Sequence, residues 1–232
     1  CKVRVSGPST RKLYERGLPS VTSDTVCFPA KLAHGHVQSL MDAGVDRIFM
    51  PIVTTAPTEN RAETSVSRCA VVKGYPLVVR TSDDPEGRGG IPFDAPLFHW
   101  YTEADRNRQL ASYLCERFEV DEKAAQTAIA QADAALAAFR SDLLARGAET
   151  IAQTKRSGGW AVVLASRPYH NDPLVNHDLP RMFAEQGIAV LPPDAVPAAN
   201  EADLSRSRLD IVNNFHARML GCALACAESP SL

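Results

Sequence analysis

No apolar run in this 232-residue sequence reaches the roughly 18–20 residues needed to span a bilayer, and the opening Cys-Lys-Val-Arg-Val has no signal-peptide form. A cytoplasmic location with no membrane partner is expected. Charge of one sign is missing too: 25 Lys and Arg face 27 Asp and Glu, for a formal net charge of −2, and no basic cluster stands out. That excludes the electrostatic footprint of nucleic-acid binding. Cysteine is sparse. Cys1, Cys27, Cys69, Cys115, Cys222 and Cys226 are too few and too dispersed for a secreted disulfide scaffold. No internal repeat is visible and an initiating Met is absent, so the chain is expected to be a piece of a longer polypeptide.

What remains is an ordinary globular composition, 45% hydrophobic and 22% charged, long enough for one large domain or two small ones. Residues 3–5 read as a strand, followed by a Ser9-capped helix through about Arg16. A helix from near Pro29 to Ala43 should end at Gly44 and lead into a strand over 46–51. Residues 54–58 read as a loop at that strand's carboxyl end. Val71-Val72 and residues 77–79 are further apolar pieces around Gly74-Tyr75-Pro76. Residues 82–96 are loop-like in composition. Residues 103–118 and 121–146 are alanine-rich and helix-prone. The second of these should have one buried face, at Ala125, Ile129, Ala132, Leu136, Phe139 and Leu143, and end near Gly147. A strand over 160–165, a helix over 176–186 and a strand over 187–191 repeat the β-α-β logic, and residues 204–227 read as a last helix. The expected architecture is α/β: two Rossmann- or flavodoxin-like parallel-sheet lobes, residues 1–96 and a C-terminally truncated 151–232, linked by a helical segment, 97–150.

The chemistry-bearing segment is Ser23-Asp-Thr-Val-Cys-Phe-Pro-Ala-Lys-Leu-Ala-His-Gly-His36. It places Cys27 at a helix start, where free N–H groups and the positive helix end favour a thiolate. At roughly 100° per residue Lys31 and His34 return to within about 40° of Cys27. Three readings fit: a Cys–His nucleophile pair, a metal-cluster ligand with supporting cations, and a helix start with a small buried residue. Cys69 is expected at the same carboxyl-end edge as Cys27, and two cysteines there favour an iron–sulfur ligand over a lone nucleophile. Arg167-Pro-Tyr-His-Asn-Asp-Pro173, with Asn176-His177-Asp178, is either an anion-binding helix start or a Pro-punctuated loop capped by Asn and Asp. His170 is a further cleft residue. Cys222 and Cys226, at i and i+4 among Ala and Leu, read as core packing.

Taken together, the 23–36 segment, Cys69 with Gly74-Tyr-Pro76, and Arg167-Pro-Tyr-His-Asn-Asp-Pro-Leu-Val-Asn-His177 resemble the acyl-CoA dehydratase activase-related proteins, the 2-hydroxyglutaryl-CoA dehydratase activator-type family. The resemblance covers essentially the whole chain. It implies a cytoplasmic protein of anaerobic bacteria related to dehydratase subunits and double-cubane-cluster reductases, in which an ATP-hydrolysing activase region drives electrons into an oxygen-sensitive iron–sulfur cluster. By motif match, Cys27 and Cys69 are two of three cluster ligands. The third, in a Ser-Phe-Gly-Cys-Gly type segment after a helix resembling residues 209–229, has no counterpart here.

The expected function is therefore part of an iron–sulfur reductase or dehydratase system. It would act with an ATP-dependent activase, expected on the same polypeptide, on a small or CoA-linked substrate. The cofactor would be a 4Fe–4S or double-cubane cluster in the longer protein, with none required in this piece, which alone should be inactive. Lys31, His34 and His170 are expected to line the cleft. A homodimer is among the expected assemblies. The alternatives are a non-catalytic scaffold or docking domain of the same polypeptide and a Cys–His hydrolase.

Overall fold

The computed structural model describes residues 2–57, 67–205, 207 and 213–229. Residues 63–66 before Cys69, Thr58, and residues 208–212 of the expected last helix lie outside these. Helices and short parallel strands alternate along the chain, an α/β arrangement. The chain divides into two units, each described by itself.

The first unit contains residues 1–56, 68–100 and 172–177. Residues 3–5 are not a strand; their valines are more than four-fifths exposed, with no neighbour to bury an extended segment. Helix α1 (Arg11–Gly17) is capped by Thr10 rather than Ser9, its hydroxyl accepting from the Leu13 N–H. Helix α2 (Phe28–Asp42) ends at Ala43, with Gly44 beyond it at φ +64°, the left-handed position that glycine takes at least cost. Gly17 and Gly35 let α1 and α2 touch backbone to backbone: a Cβ on Gly35 would run into the Leu13 carbonyl.

Strands β1 (Ile48–Phe49) and β2 (Ile52–Thr55) lie on either side of Pro51 and pair in parallel with β3 (Phe93–Asp94) and β4 (Leu97–His99). Between the strands stand helices α3 (Ala70–Ser82) and α4 (Pro85–Gly89). The amides of Ile48, Met50 and Ile52 donate in turn to the carbonyls of Pro92, Asp94 and Pro96. The two strand pairs are thus one parallel ladder, interrupted where Pro51 and Pro96 have no N–H to give.

Helix α3 corrects the strand-like reading of Val71-Val72 and 77–79. Val71, Tyr75 and Val79 recur every four residues and turn one face to the core, while Pro76 is carried inside the helix. The core joins Ala30 and Val37 of α2, Tyr75 and Val79 of α3, and Ile48, Ile91 and Phe93 around the sheet.

In the second unit α5 (Glu103–Phe118) matches expectation, capped by Thr102. It turns back into α6 (Glu122–Ser157), which starts at the Asp121 cap and runs through Gly147 to a left-handed Gly158. Contacts of Ala111 with Ile129 and of Arg106 with Asp133 make α5 and α6 an antiparallel hairpin. Gly147 is a packing glycine and not a stop: a side chain there would strike the Ala195 carbonyl. The expected buried face of α6 holds at Ala125 and Ile129 and again in part at Leu143, but its middle is open, with Ala132 exposed, Leu136 44% and Phe139 63% exposed.

Strand β5 (Ala161–Val163) leads to α7 (Pro173–Asn176, counted with the first unit) and α8 (Leu179–Ala184). Strand β6 (Ala189–Leu191) then pairs in parallel with β5. The single helix expected over 176–186 is broken because His177 and Asp178 both take left-handed backbone. Helices α9 (Pro197–Glu201) and α10 (Asn214–Ala227) close the unit, where Cys222 packs with Leu191, Val196 and Ala199. Replacing Gly35 by Ala is expected to cost about 1–3 kcal/mol, as overpacking of a close contact does, seen as a lower urea midpoint with unchanged slope.

Candidate functional site

Cys27 is the N-cap of α2, with φ −62° and ψ 148°, and Cys69 is the N-cap of α3, with φ −54° and ψ 141°. Both thiols are exposed and unoxidised. Neither side chain caps its helix; α3 keeps the donors of its first turn, while in α2 Pro29 has no N–H and the Ala30 amide already donates to the Cys27 carbonyl.

The helices' cross-links fix their relative direction. His34 of α2 meets Tyr75 of α3, and further along Gln38 meets Asp83 at the end of α3. Both partners advance together, so α2 and α3 run parallel. The two N-caps therefore stand at the same end of the helix pair.

Behind them lies a buried polar chain. Asp83 Oδ2 is 2.5 Å from His34 Nδ1, and His34 Nε2 is 2.8 Å from the Tyr75 hydroxyl. A carboxylate can only accept, so Nδ1 carries the proton of the first bond. Gln38 Nε2 donates to Asp83 Oδ1 (2.9 Å) and to Ser20 Oγ (3.0 Å). Both the His34 and Asp83 side chains are fully buried. Asp83 is held inward by its neighbour: Asp84, in left-handed backbone, caps α4 by accepting from the Gly87 N–H. Burial, and after it the charges of Cys27 and Asp83, push the Tyr75 phenol above its ordinary pKa.

This placement corrects the face-sharing of Cys27, Lys31 and His34. Cys27 precedes the helix in extended backbone, so the 100° count begins only at Phe28. His34 turns into the core with both ring nitrogens bonded, leaving neither for a direct pair with the sulfur. Lys31 Nζ donates to the Asp24 carbonyl at 2.8 Å and ties down the loop ahead of Cys27. His170 belongs to the second unit, its ring 4.5 Å from that of Tyr169.

Asp172 caps α7, accepting from Leu174 and Val175, and also accepts from the Ser9 N–H, as the capping reading of that motif predicts. Arg167 donates to His216 at 2.8 Å. Cys222 is inert core, its thiol pushed up to about 12 chiefly by burial. Among the described residues no group of three or more Cys, His, Asp and Glu side chains is placed to hold a metal ion. Cys27 and Cys69 are exposed thiols of the kind that iron binds, but two side chains do not make a complete ligand group.

Residues 1–196 match the profile of the CoA enzyme activase uncharacterised domain (DUF2229). The chain belongs to that family. This is the acyl-CoA dehydratase activase-related family that the motifs resembled. No curated protein and no solved structure matched the chain. No helix among the described residues of this family member is long and apolar enough to cross a membrane.

Asp83, Tyr75 and Gln38 did not emerge from the sequence as site residues. The i, i+4 spacing of Val71, Tyr75 and Val79 was the available signal, masked by Gly74 and Pro76. Replacing Asp83 by Ala leaves a buried imidazole without its partner and should cost about 3–5 kcal/mol in chemical denaturation.

His36 gives a pH test. Its Nε2 lies 3.0 Å from Ser9 Oγ, and its Nδ1 has no partner among the described residues. Burial lowers its pKa below 6.5, opposed by Asp172. The unfolded chain then binds the proton more readily, so stability is intact above pH 6.5 and falls as the pH drops from there toward the folded value. His36→Gln should flatten that decline in urea midpoints measured across the interval.

Proposed function

We propose that this chain is the thiol-presenting part of an iron–sulfur reductase or dehydratase system that works with an ATP-dependent activase on a small or CoA-linked substrate. The observation that carries this reading is that Cys27 and Cys69 are exposed N-caps at the same end of two parallel helices. Two thiolates there, each at the positive end of a helix, suit a cluster whose charge is negative. Cys27 and Cys69 are two of its ligands, and the remaining thiolates come from beyond this pair. When bound, a 4Fe–4S or double-cubane cluster supplies electron transfer at low potential. In this reading the 48–55/93–99 ladder and the β5–β6 pair are the cores of two Rossmann- or flavodoxin-like lobes. Lys31 fixes the loop that delivers Cys27.

The docking-domain reading draws support from a different feature, the open middle of α6 with Leu136 and Phe139 exposed. The hydrolase reading is weaker, since His34 is already bonded through both nitrogens.

Anaerobic reconstitution with ferrous iron and sulfide, on the longer polypeptide that supplies the remaining thiolates, separates these. Bound iron should fall by more than half in Cys27→Ala and in Cys69→Ala and stay unchanged in Cys115→Ala. Iron content that neither of the first two variants alters, zero included, would sink the ligand assignment.

A further inference from the structure

Arg167 is a half-buried cation that pairs with no carboxylate among the described residues. Its side chain bonds instead to an imidazole, with Nη2 2.8 Å from His216 Nε2. A guanidinium has hydrogens to give and no lone pair to take one. Nε2 of His216 is therefore the acceptor, and the ring is neutral with its proton on Nδ1. Burial, and after it the Arg167 charge, hold His216 below its ordinary pKa.

For stability alone this is a poor arrangement. A carboxylate at position 216 would neutralise the guanidinium, whereas an imidazole leaves its charge whole. What the imidazole supplies is direction: it claims one Nη2 hydrogen and leaves those on Nε and Nη1 unclaimed by the described residues.

The backbone fixes where that fork stands. The β5–β6 ladder runs on past Val163, the Leu164 amide donating to the Leu191 carbonyl, and the Ser166 hydroxyl donates to the Leu164 carbonyl. The Arg167 carbonyl then accepts from the His170 amide at the start of the short 3-10 turn Pro168–Asn171. Arg167 thus follows the carboxyl end of a strand in a parallel pair, the end at which such sheets take ligands. His216 comes from the first turn of α10, where the Asn213 side chain already accepts from the Phe215 and His216 amides. Those amides are spent on the cap, so the fork and not the helix end is the binding element. Arg218, two residues along α10, is neutralised by Asp194.

We propose that Arg167 anchors an oxyanion site at the carboxyl end of β5, taking the carboxylate or phosphate group of a small ligand, with His216 as its positioning residue. Two oxygens of such a group match the guanidinium edge, each accepting one hydrogen. The site is independent of the cysteine pair: Arg167 and His216 belong to the second unit, Cys27 and Cys69 to the first.

Equilibrium dialysis of the intact chain against radiolabelled phosphate, and separately against radiolabelled acetate, tests this at neutral pH and constant ionic strength. At least one of the two anions should saturate a single site, and the one that does so at lower concentration names the group. Arg167→Gln should weaken that binding by about tenfold or more, the worth of one hydrogen bond to a charged group. Arg167→Lys keeps the charge without the fork and should weaken it by about threefold or more. His216→Gln retains an acceptor for Nη2 and should bind like the native chain, while His216→Leu frees the fork and should bind less well with the Arg167 charge still in place. Arg181→Gln removes the same charge from an exposed ion pair on α8 and should change nothing. Circular-dichroism melts identify any variant that has lost its fold, and Arg167→Lys decides if Arg167→Gln is among them. The proposal is overturned if neither anion saturates, if folded Arg167→Lys binds like the native chain, or if Arg181→Gln weakens binding as much as Arg167→Gln does.

Discussion

The first unit is organised around one fully buried charge-bearing contact, His34 with Asp83. Burying either group alone is costly, and their mutual hydrogen bond offsets that cost only when the geometry is good and the other polar atoms are satisfied. Each condition is met by a particular neighbour: Tyr75 at the second ring nitrogen, Gln38 at the second carboxylate oxygen, and the Asp84 turn that directs Asp83 inward. Those demands settle the register of α3 against α2. A slip of one residue along either helix would break two or three buried hydrogen bonds at once. The placement of Cys27 and Cys69 at one end of the helix pair follows from that register.

Much of the fold was legible because it is local. Thr102 and Asp121 cap α5 and α6 where a cap residue precedes a long alanine-rich run, and Gly44 marks the end of α2. Failures came where one residue type serves two purposes. Gly147 looked like a helix stop, yet it is small because a carbonyl from 195 presses on it. Val71-Val72 and the valines at 78 and 79 look like strand, but the four-residue spacing through Tyr75 decides for helix once a core exists on one side. Pro76 added to the error by marking a break that does not occur.

The candidate site divides in the same way. Cys27 was legible as a helix-start thiol, whereas Cys69 was expected at a sheet edge and its place at the start of α3 was not foreseen. Asp83 was not legible, because its role depends on a neighbour 49 positions earlier and it stands at the edge of a loop-like composition. Helical-wheel reasoning also misplaced His34 relative to Cys27: a cap residue belongs to the chain entering the helix and does not share its periodicity. The family match, over residues 1–196, includes both cysteines and the whole buried chain and stops before α10.

The two N-caps have a consequence for how the protein is balanced. Serine, threonine, asparagine or aspartate in place of each cysteine would seal the first turn, and such caps stabilise a helix by typically about 1 kcal/mol over residues that make no bond there. Neither cysteine makes one. The first turn of α3 consequently begins with amide donors that its cap leaves unused, whereas α2 has fewer to spare, since Pro29 lacks an N–H and Ala30 gives its own to the Cys27 carbonyl.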